Sequence, residues 1–323
     1  MLPESGADFP TWRLHRSGSH LDFNIYGYEP SLAAGVIFLV AFSLITLFQI
    51  GRMFRSRVWW MVVLVLGGFL ETLGWVGRTW AAINLYNLNA FMTQQVCLIL
   101  APCFYSATVY ALLGLIIRSV GRRYSLLPAN AYLWIFCIAD IVSIAVQGAG
   151  GGISAGALAD DKSSRTGANI MLAGIVLQLF FMLVFAGLAI DVWMRLRRDR
   201  SYRSIAHAQE GNLTPLGWGI GVATVMIIIR GGYRTGELTE GWGGYLLTHE
   251  PYFCVLDSAL MVICQGVFCF VWPRRGHSTS TDHSSSALAP EPSRGSSWAD
   301  KEAAKSGETM IAAAPSQEKL ATV

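Results

Sequence analysis

The chain has 323 residues, of which 53% are hydrophobic and only 14% charged, with a mean hydropathy of +0.43. A water-soluble domain covers its surface with about 25% charged residues, so neither a soluble enzyme nor a disordered protein fits the chain as a whole. A net charge of +3 is too mild to point to nucleic acid, while 11 Trp and 11 Tyr suit a protein that sets aromatic rings at a membrane–water boundary.

Residues 1–30 mix polar and charged groups, among them Glu4, Asp8, Arg13, Arg16 and Asp22. They show no apolar run behind a basic flank, so no cleavable signal peptide is expected. Residues 31–273 are almost continuously apolar. A spanning helix needs about 20 apolar residues, and seven stretches qualify: about 31–51, 58–78, 94–117, 131–152, 168–191, 214–234 and 252–272. Lipid has no partner for open backbone groups, so these must be helices. The expected fold class is all-α, a polytopic membrane protein of seven transmembrane helices. Asn84, Tyr86, Asn87 and Asn89 mark the loop within the charge-free run from Thr79 to Ile117, and Pro102 is expected to kink the third helix.

The glycine cluster at Gly148–Gly152 follows an apolar helix with no strand before it. It therefore reads as a flexible or closely packed helix end and not as a nucleotide loop. Gly217 and Gly221 have the small-xxx-small spacing of close helix packing. Residues 274–323 turn to Ser, Thr, Pro, Ala and scattered charge, a composition that cannot form a core. They read as a disordered tail whose Ser/Thr clusters are candidate sites for kinases or other cytosolic regulators. The six cysteines lie in apolar stretches without CxxC spacing and read as buried fillers.

Arginine placement orients the bundle. Arg52, Arg55 and Arg57, then Arg118, Arg122 and Arg123, then Arg195, Arg197, Arg198, Arg200 and Arg203, then Arg274 and Arg275 fall on one side; Arg13, Arg16, Lys162 and Arg165 fall on the other. The positive-inside rule puts the richer side in the cytosol, the N-terminal segment outside and the tail inside. The sequon at Asn212 then faces the cytosol and should stay unmodified.

Several chemistries are set aside by absence. There is no GxxxxGK[ST] phosphate loop. Of the six His, only His249 lies near a membrane segment, and one His cannot hold a catalytic metal. The four lysines (Lys162, Lys301, Lys305, Lys319) lie outside the predicted helices, which excludes a retinal Schiff base. No cofactor, metal or catalytic residue is expected, and the chain is not read as an enzyme.

The informative residues are polar and ionisable groups where lipid disfavours them. A charge at the bilayer centre costs about 2.5–3.5 kcal/mol or more, so it faces the bundle interior with a partner. The second helix carries Glu71 and Arg78, seven apart and so on one face; the fourth carries Asp140 and Gln147 at the same spacing. Gln178 lies mid-way along the fifth. Arg230, Arg234 and Glu237 make one stripe on the sixth, and the seventh is preceded by Glu250 and contains Asp257 and Gln265. Such groups either fix helix register or line a hydrated, headgroup-sized path. One or two pairs suffice for register alone, which favours the path.

The stretch Arg230-Gly-Gly-Tyr233-Arg234-Thr-Gly-Glu237, with Glu240-Gly241-Trp242, Glu250, Tyr252 and Asp257, resembles the fungal lipid-translocating exporters, the seven-helix RTA-like family of aminocholesterol resistance. The likeness extends to Tyr28-Glu29-Pro30-Ser31, to Glu71, Gly74 and Arg78, and to Gln95, Leu100-Ala101-Pro102 and Tyr110. It continues through Asp140, Gln147, Gly148–Gly152 and Gln178, and covers about residues 26–273. The His that the family usually shows before the Pro near Trp272-Pro273 is absent here.

The resemblance implies a fungal plasma-membrane protein (alternatively vacuolar or endomembrane) that exports or flips amphipathic lipids. Sphingoid long-chain bases are its foremost implied partners, with resistance to toxic amphiphiles as the phenotype. On this reading Glu71, Asp140 and Asp257 receive an amine head or carry a proton, and Arg78, Arg230 and Arg234 pair with them or receive a phosphate. The alternative is a seven-helix receptor or sensor of amphiphile stress that signals through its tail. A membrane enzyme is a third reading, weakened by the missing ligand sets.

Overall fold

The computed structural model describes residues 14–17, 20–23, 30–84, 88–159, 165–198, 213–239 and 249–273. The Tyr28-Glu29 and Glu240–Trp242 parts of the motif, the sequon at Asn212, Lys162, Arg200, Arg203 and everything from Arg274 onward lie outside these residues.

Among the described residues, seven helices are long and apolar enough to cross a membrane. They are α1 (Leu32–Ser56), α2 (Val62–Ile83), α3 (Leu88–Val120), α4 (Ala129–Ala159), α5 (Arg165–Arg198), α6 (Leu213–Thr239) and α7 (Glu250–Phe270). Most outrun the apolar runs that announced them. The apolar run measures the hydrocarbon, whereas the backbone ladder continues into polar ends, as in α1 through Arg52 and Arg55 and in α5 to Arg198. Pro102 lies inside α3, which continues through it as one helix.

Ahead of the helices, two four-residue strands, β1 (Leu14–Ser17) and β2 (His20–Phe23), pair antiparallel with Leu14 opposite Phe23. The all-α expectation omitted this hairpin, because strands so short carry no apolar run to announce them.

Local chemistry sets the helix ends. Ser31 caps α1 by accepting the N–H of Ala34 on its Oγ at 3.3 Å. At its other end Arg57 takes a left-handed φ of 52°, and a 3-10 turn, Trp59–Met61, leads into α2. The seventh helix is interrupted by a π-helical turn at Cys254–Ala259, between regular segments Glu250–Phe253 and Leu260–Phe270.

Helix α3 is the most enclosed of the seven, and packs on α2, α4 and α6. Around its lower half the core is aromatic: the Tyr110 ring lies 4.6 Å from Phe185 and 5.3 Å from Phe136, all three buried. The pair α4 and α5 touches backbone to backbone. A Cβ at Gly150 would sit 2.4 Å from the Met171 nitrogen and 2.7 Å from the Gly167 oxygen. Close packing in the glycine cluster thus falls to Gly150, since Gly148 and Gly152 have nothing within 4 Å, and the cluster lies inside α4, which runs on to Ala159, and not at a helix end. Of the other small pair, Gly217 receives the Trp193 ring, 2.2 Å from where a Cβ would stand, but Gly221 has nothing within 4 Å.

A buried polar clasp joins α1 to α7. Gln49 Nε2 donates to the Gln265 carbonyl at 2.9 Å, and Gln265 Nε2 donates to Gln49 Oε1 at 3.1 Å and Thr46 Oγ1 at 3.0 Å. Below it Arg52 donates to the carbonyl of Cys269, where a cation suits the helix C-terminus. The cysteines are all unbridged; Cys97, Cys103 and Cys264 are buried and the rest half-buried.

Candidate functional site

The predicted intramembrane groups fall into three clusters. The first sits where α1 and α7 begin and α2 ends. Arg78 Nη2 bonds Glu250 Oε1 at 2.7 Å, and both oxygens of that carboxylate also accept the Ser31 N–H at 3.0 Å. The Arg78 guanidinium lies over the Phe253 ring at 4.5 Å and the Trp75 ring at 5.7 Å. Glu71 and Arg78 share a face of α2 as expected, but the arginine's carboxylate partner comes from α7.

The second cluster joins α6, α7 and α3. Asp257 lies within the π-helical turn, and its Oδ1 accepts from Arg234 Nε at 2.8 Å. Arg230 Nε approaches the same oxygen to 3.0 Å but out of hydrogen-bond alignment, so that contact is Coulombic. Arg234 Nη1 reaches Glu237 Oε2 at 3.2 Å. The one-stripe spacing of Arg230, Arg234 and Glu237 is what lets two arginines of α6 meet a single acid of α7.

Arg230 also reaches α3, where its Nη2 donates to the Leu98 carbonyl at 2.6 Å. That oxygen would normally accept from the N–H four residues on, and residue 102 is proline, which has none. The arginine thus fills the acceptor that Pro102 leaves open.

The third cluster spans α3, α4 and α5. Gln147 Nε2 donates to Gln178 Oε1 at 3.0 Å, and Gln178 Nε2 in turn reaches Cys103 Sγ at 3.1 Å. Asp140 is buried two turns from Gln147 with Tyr110 as its polar neighbour, and neither of its carboxylate oxygens has a hydrogen-bond partner. Glu71 is also buried, within Coulombic reach of Arg230 and Arg234, with its Oε1 unpartnered.

Between α3, α4, α5 and α6 lies a small open cleft. Of the ten predicted residues, Gln147, Gln178, Arg230 and Arg234 line it. Asp257 and Glu237 stand behind as partners of the arginines; Arg78 and Glu250 form the separate cluster, and neither Glu71 nor Asp140 reaches the cleft wall. Sequence reasoning did not single out Ser106 or the Leu98 carbonyl. The second was findable, because any proline within a helix frees the carbonyl four residues earlier. Gln95 entered only through the family motif, yet it lines the cleft. Among the described residues no three His, Cys, Asp or Glu gather to hold a metal ion.

The family model described as RTA1 like protein matches residues 64–279. Among curated relatives, Sphingoid long-chain base transporter RSB1 of Saccharomyces cerevisiae is 31% identical over 300 residues, covering 82% of this chain and 78% of that protein. Protein RTM1 of the same organism is 28% identical over 222 residues, covering 66% and 67% of the two chains. Protoporphyrin uptake protein 1, again from that yeast, is 25% identical over 280 residues, covering 75% and 89%. No solved structure matches significantly.

Proposed function

The chain belongs to the RTA1-like family of multi-span membrane proteins, and from that premise we propose that it translocates single-tailed amphipathic lipids, sphingoid long-chain bases foremost, and so protects the cell from toxic amphiphiles. The names of RSB1 and of the protoporphyrin protein are those of transport proteins and not of enzymes. The observation that carries the reading is a cleft at membrane depth whose otherwise largely apolar wall includes Gln147, Gln178, Arg230 and Arg234. Lipid alone gives no reason to gather such groups around open space.

A lipid head would enter this cleft while its tail stays in the bilayer. Glu71 and Asp140, which do not reach the cleft wall and whose carboxylates have no arginine bonded to them, would carry a proton in transit. The arginine count favours an N-terminal segment outside and a tail in the cytosol, and the family resemblance favours the plasma membrane. The cleft runs beside Gln95 of α3 and Leu238 of α6, which on that orientation would be the outer half, away from the aromatic core at Tyr110, Phe136 and Phe185.

The test is movement of a fluorescent sphingoid base across proteoliposomes that hold purified protein, beside Glu71→Gln and Asp140→Asn. Protein-dependent flux that both variants abolish supports the reading. Flux no faster than in empty liposomes sinks it in favour of a receptor, whose switch would be the lock of Arg230 and Arg234 on Asp257.

A further inference from the structure

The chemistry of the cleft wall narrows the cargo. Its polar side chains are Gln95, Ser106, Gln147, Gln178, Arg230 and Arg234, and among the described residues no acid lines it. Of the acceptors near the wall, Gln178 Oε1 takes the Gln147 amide, Cys103 Sγ takes the Gln178 amide, and the Pro102 carbonyl takes the Ser106 hydroxyl. Donors remain. Each engaged amide NH2 group holds a second hydrogen. Arg234 is 5% exposed, and its Nη2 has no partner, although Nε and Nη1 are bonded to Asp257 and Glu237.

A buried guanidinium donor without an acceptor is costly, and the group that best satisfies it is a charged oxygen. A bare ammonium head would bring only donors and leave Arg234 Nη2 unsatisfied. Phosphate brings several acceptor oxygens in the geometry that guanidinium recognises.

We propose that the cleft is a binding site for a phosphomonoester head on a single apolar chain, the phosphorylated form of a long-chain amphiphile, with Arg234 as its principal ligand and Gln147 and Gln178 as supporting donors. The proposal rests on the transport reading and specifies which cargo that transport prefers. The phosphate would sit against Arg234 and Arg230 with its chain passing out between the helices that bound the cleft.

The test is equilibrium binding to purified full-length protein in phosphatidylcholine nanodiscs, with a fluorescent sphingoid base and its 1-phosphate as paired probes. The phosphorylated probe should bind at least about tenfold tighter, as a charge-assisted contact in a low-dielectric site predicts. Arg234→Lys keeps the charge beside Asp257 but removes the spare Nη2, and should bring the two probes within about twofold. Gln178→Leu, which leaves the ion pairs untouched, should weaken the phosphorylated probe by about three- to tenfold and the base by less.

Inorganic phosphate at the probe's concentration should not compete, and full competition would overturn the lipid part of the proposal in favour of a free-anion site. Equal or tighter binding of the unphosphorylated base overturns the proposal altogether. If the base is transported but no phosphate preference exists, this inference fails and the transport reading stands. If neither probe binds or moves, both fail.

Discussion

Glu250 and Arg78 are bonded at 2.7 Å across 172 positions of sequence, and the same carboxylate closes on the backbone N–H of Ser31. One side chain thus ties the start of α7 to the end of α2 and the start of α1. Glu250→Gln keeps the shape but removes the charge opposite a guanidinium that is 1% exposed. We expect a loss of about 2–3 kcal/mol, below the full cost of a broken buried pair because Glu250 is partly exposed. Thermal unfolding in detergent checks this, and Glu250→Asp should recover part of the loss.

The Pro102 position gives a sharper prediction. Pro102→Ala restores an N–H that competes with Arg230 for the Leu98 carbonyl. The helix itself should gain stability, since a proline inside a helix costs about 3 kcal/mol. Freed of its anchor on α3, Arg230 should hold a ligand less firmly. The expected signature is an unchanged or raised unfolding temperature with flux or headgroup affinity down by about three- to tenfold. A fall in both would mean that the proline is needed for folding and not for positioning the arginine.

The glutamine clasp can be tested by a double-mutant cycle. Gln49→Leu removes one of the two acceptors of the Gln265 amide, leaving it Thr46 Oγ1, and Gln265→Leu removes the donor to Gln49 Oε1 while the backbone carbonyl that takes the Gln49 amide stays. Each single change should cost about 1–3 kcal/mol, while the double variant should cost less than the two summed. Strict additivity would show that the two amides do not work as a pair.

Gly217 and Gly221 should respond oppositely to the same change. Gly217→Ala drives a methyl into the Trp193 ring and should lower the unfolding temperature. Gly221→Ala meets open space, and should be neutral or raise it slightly through the helix preference of alanine over glycine, about 1 kcal/mol. Unfolding of the two purified variants side by side reads the difference.

The contrast between these glycines marks where sequence reading stops. Seven helices were legible because each apolar run is long enough to cross a bilayer and each is closed by polar residues or arginines. The faces were legible too: Arg230, Arg234 and Glu237 lie on one stripe because helical geometry fixes spacing within a helix. What spacing cannot supply is the partner across helices. Spacing put Arg78 on the face of Glu71 seven residues away, and its bonded partner is Glu250 of another helix. Gln49 passed unnoticed as one polar residue near the end of a charge-free run, and gains meaning only when Gln265 stands opposite. Gly221 had the right spacing and no neighbour, since a small residue permits close packing without causing it.

The wide turn at Cys254–Ala259 carries a consequence for chain length. A π-helical turn accommodates one residue more than regular helix would over the same rise, so everything after it is rotated by about 100° relative to an uninterrupted α7. That offset lets Glu250 face Arg78 while Gln265, fifteen residues on, faces Gln49. Deleting Val255, an exposed position, would remove the extra residue and let the turn relax to ordinary helix with both partners still in place, whereas a residue inserted in the regular helix between the turn and Gln265 would swing that side chain about 100° toward lipid. The π turn is thus where this helix can absorb a change of length, and the regular segment beside it is where it cannot.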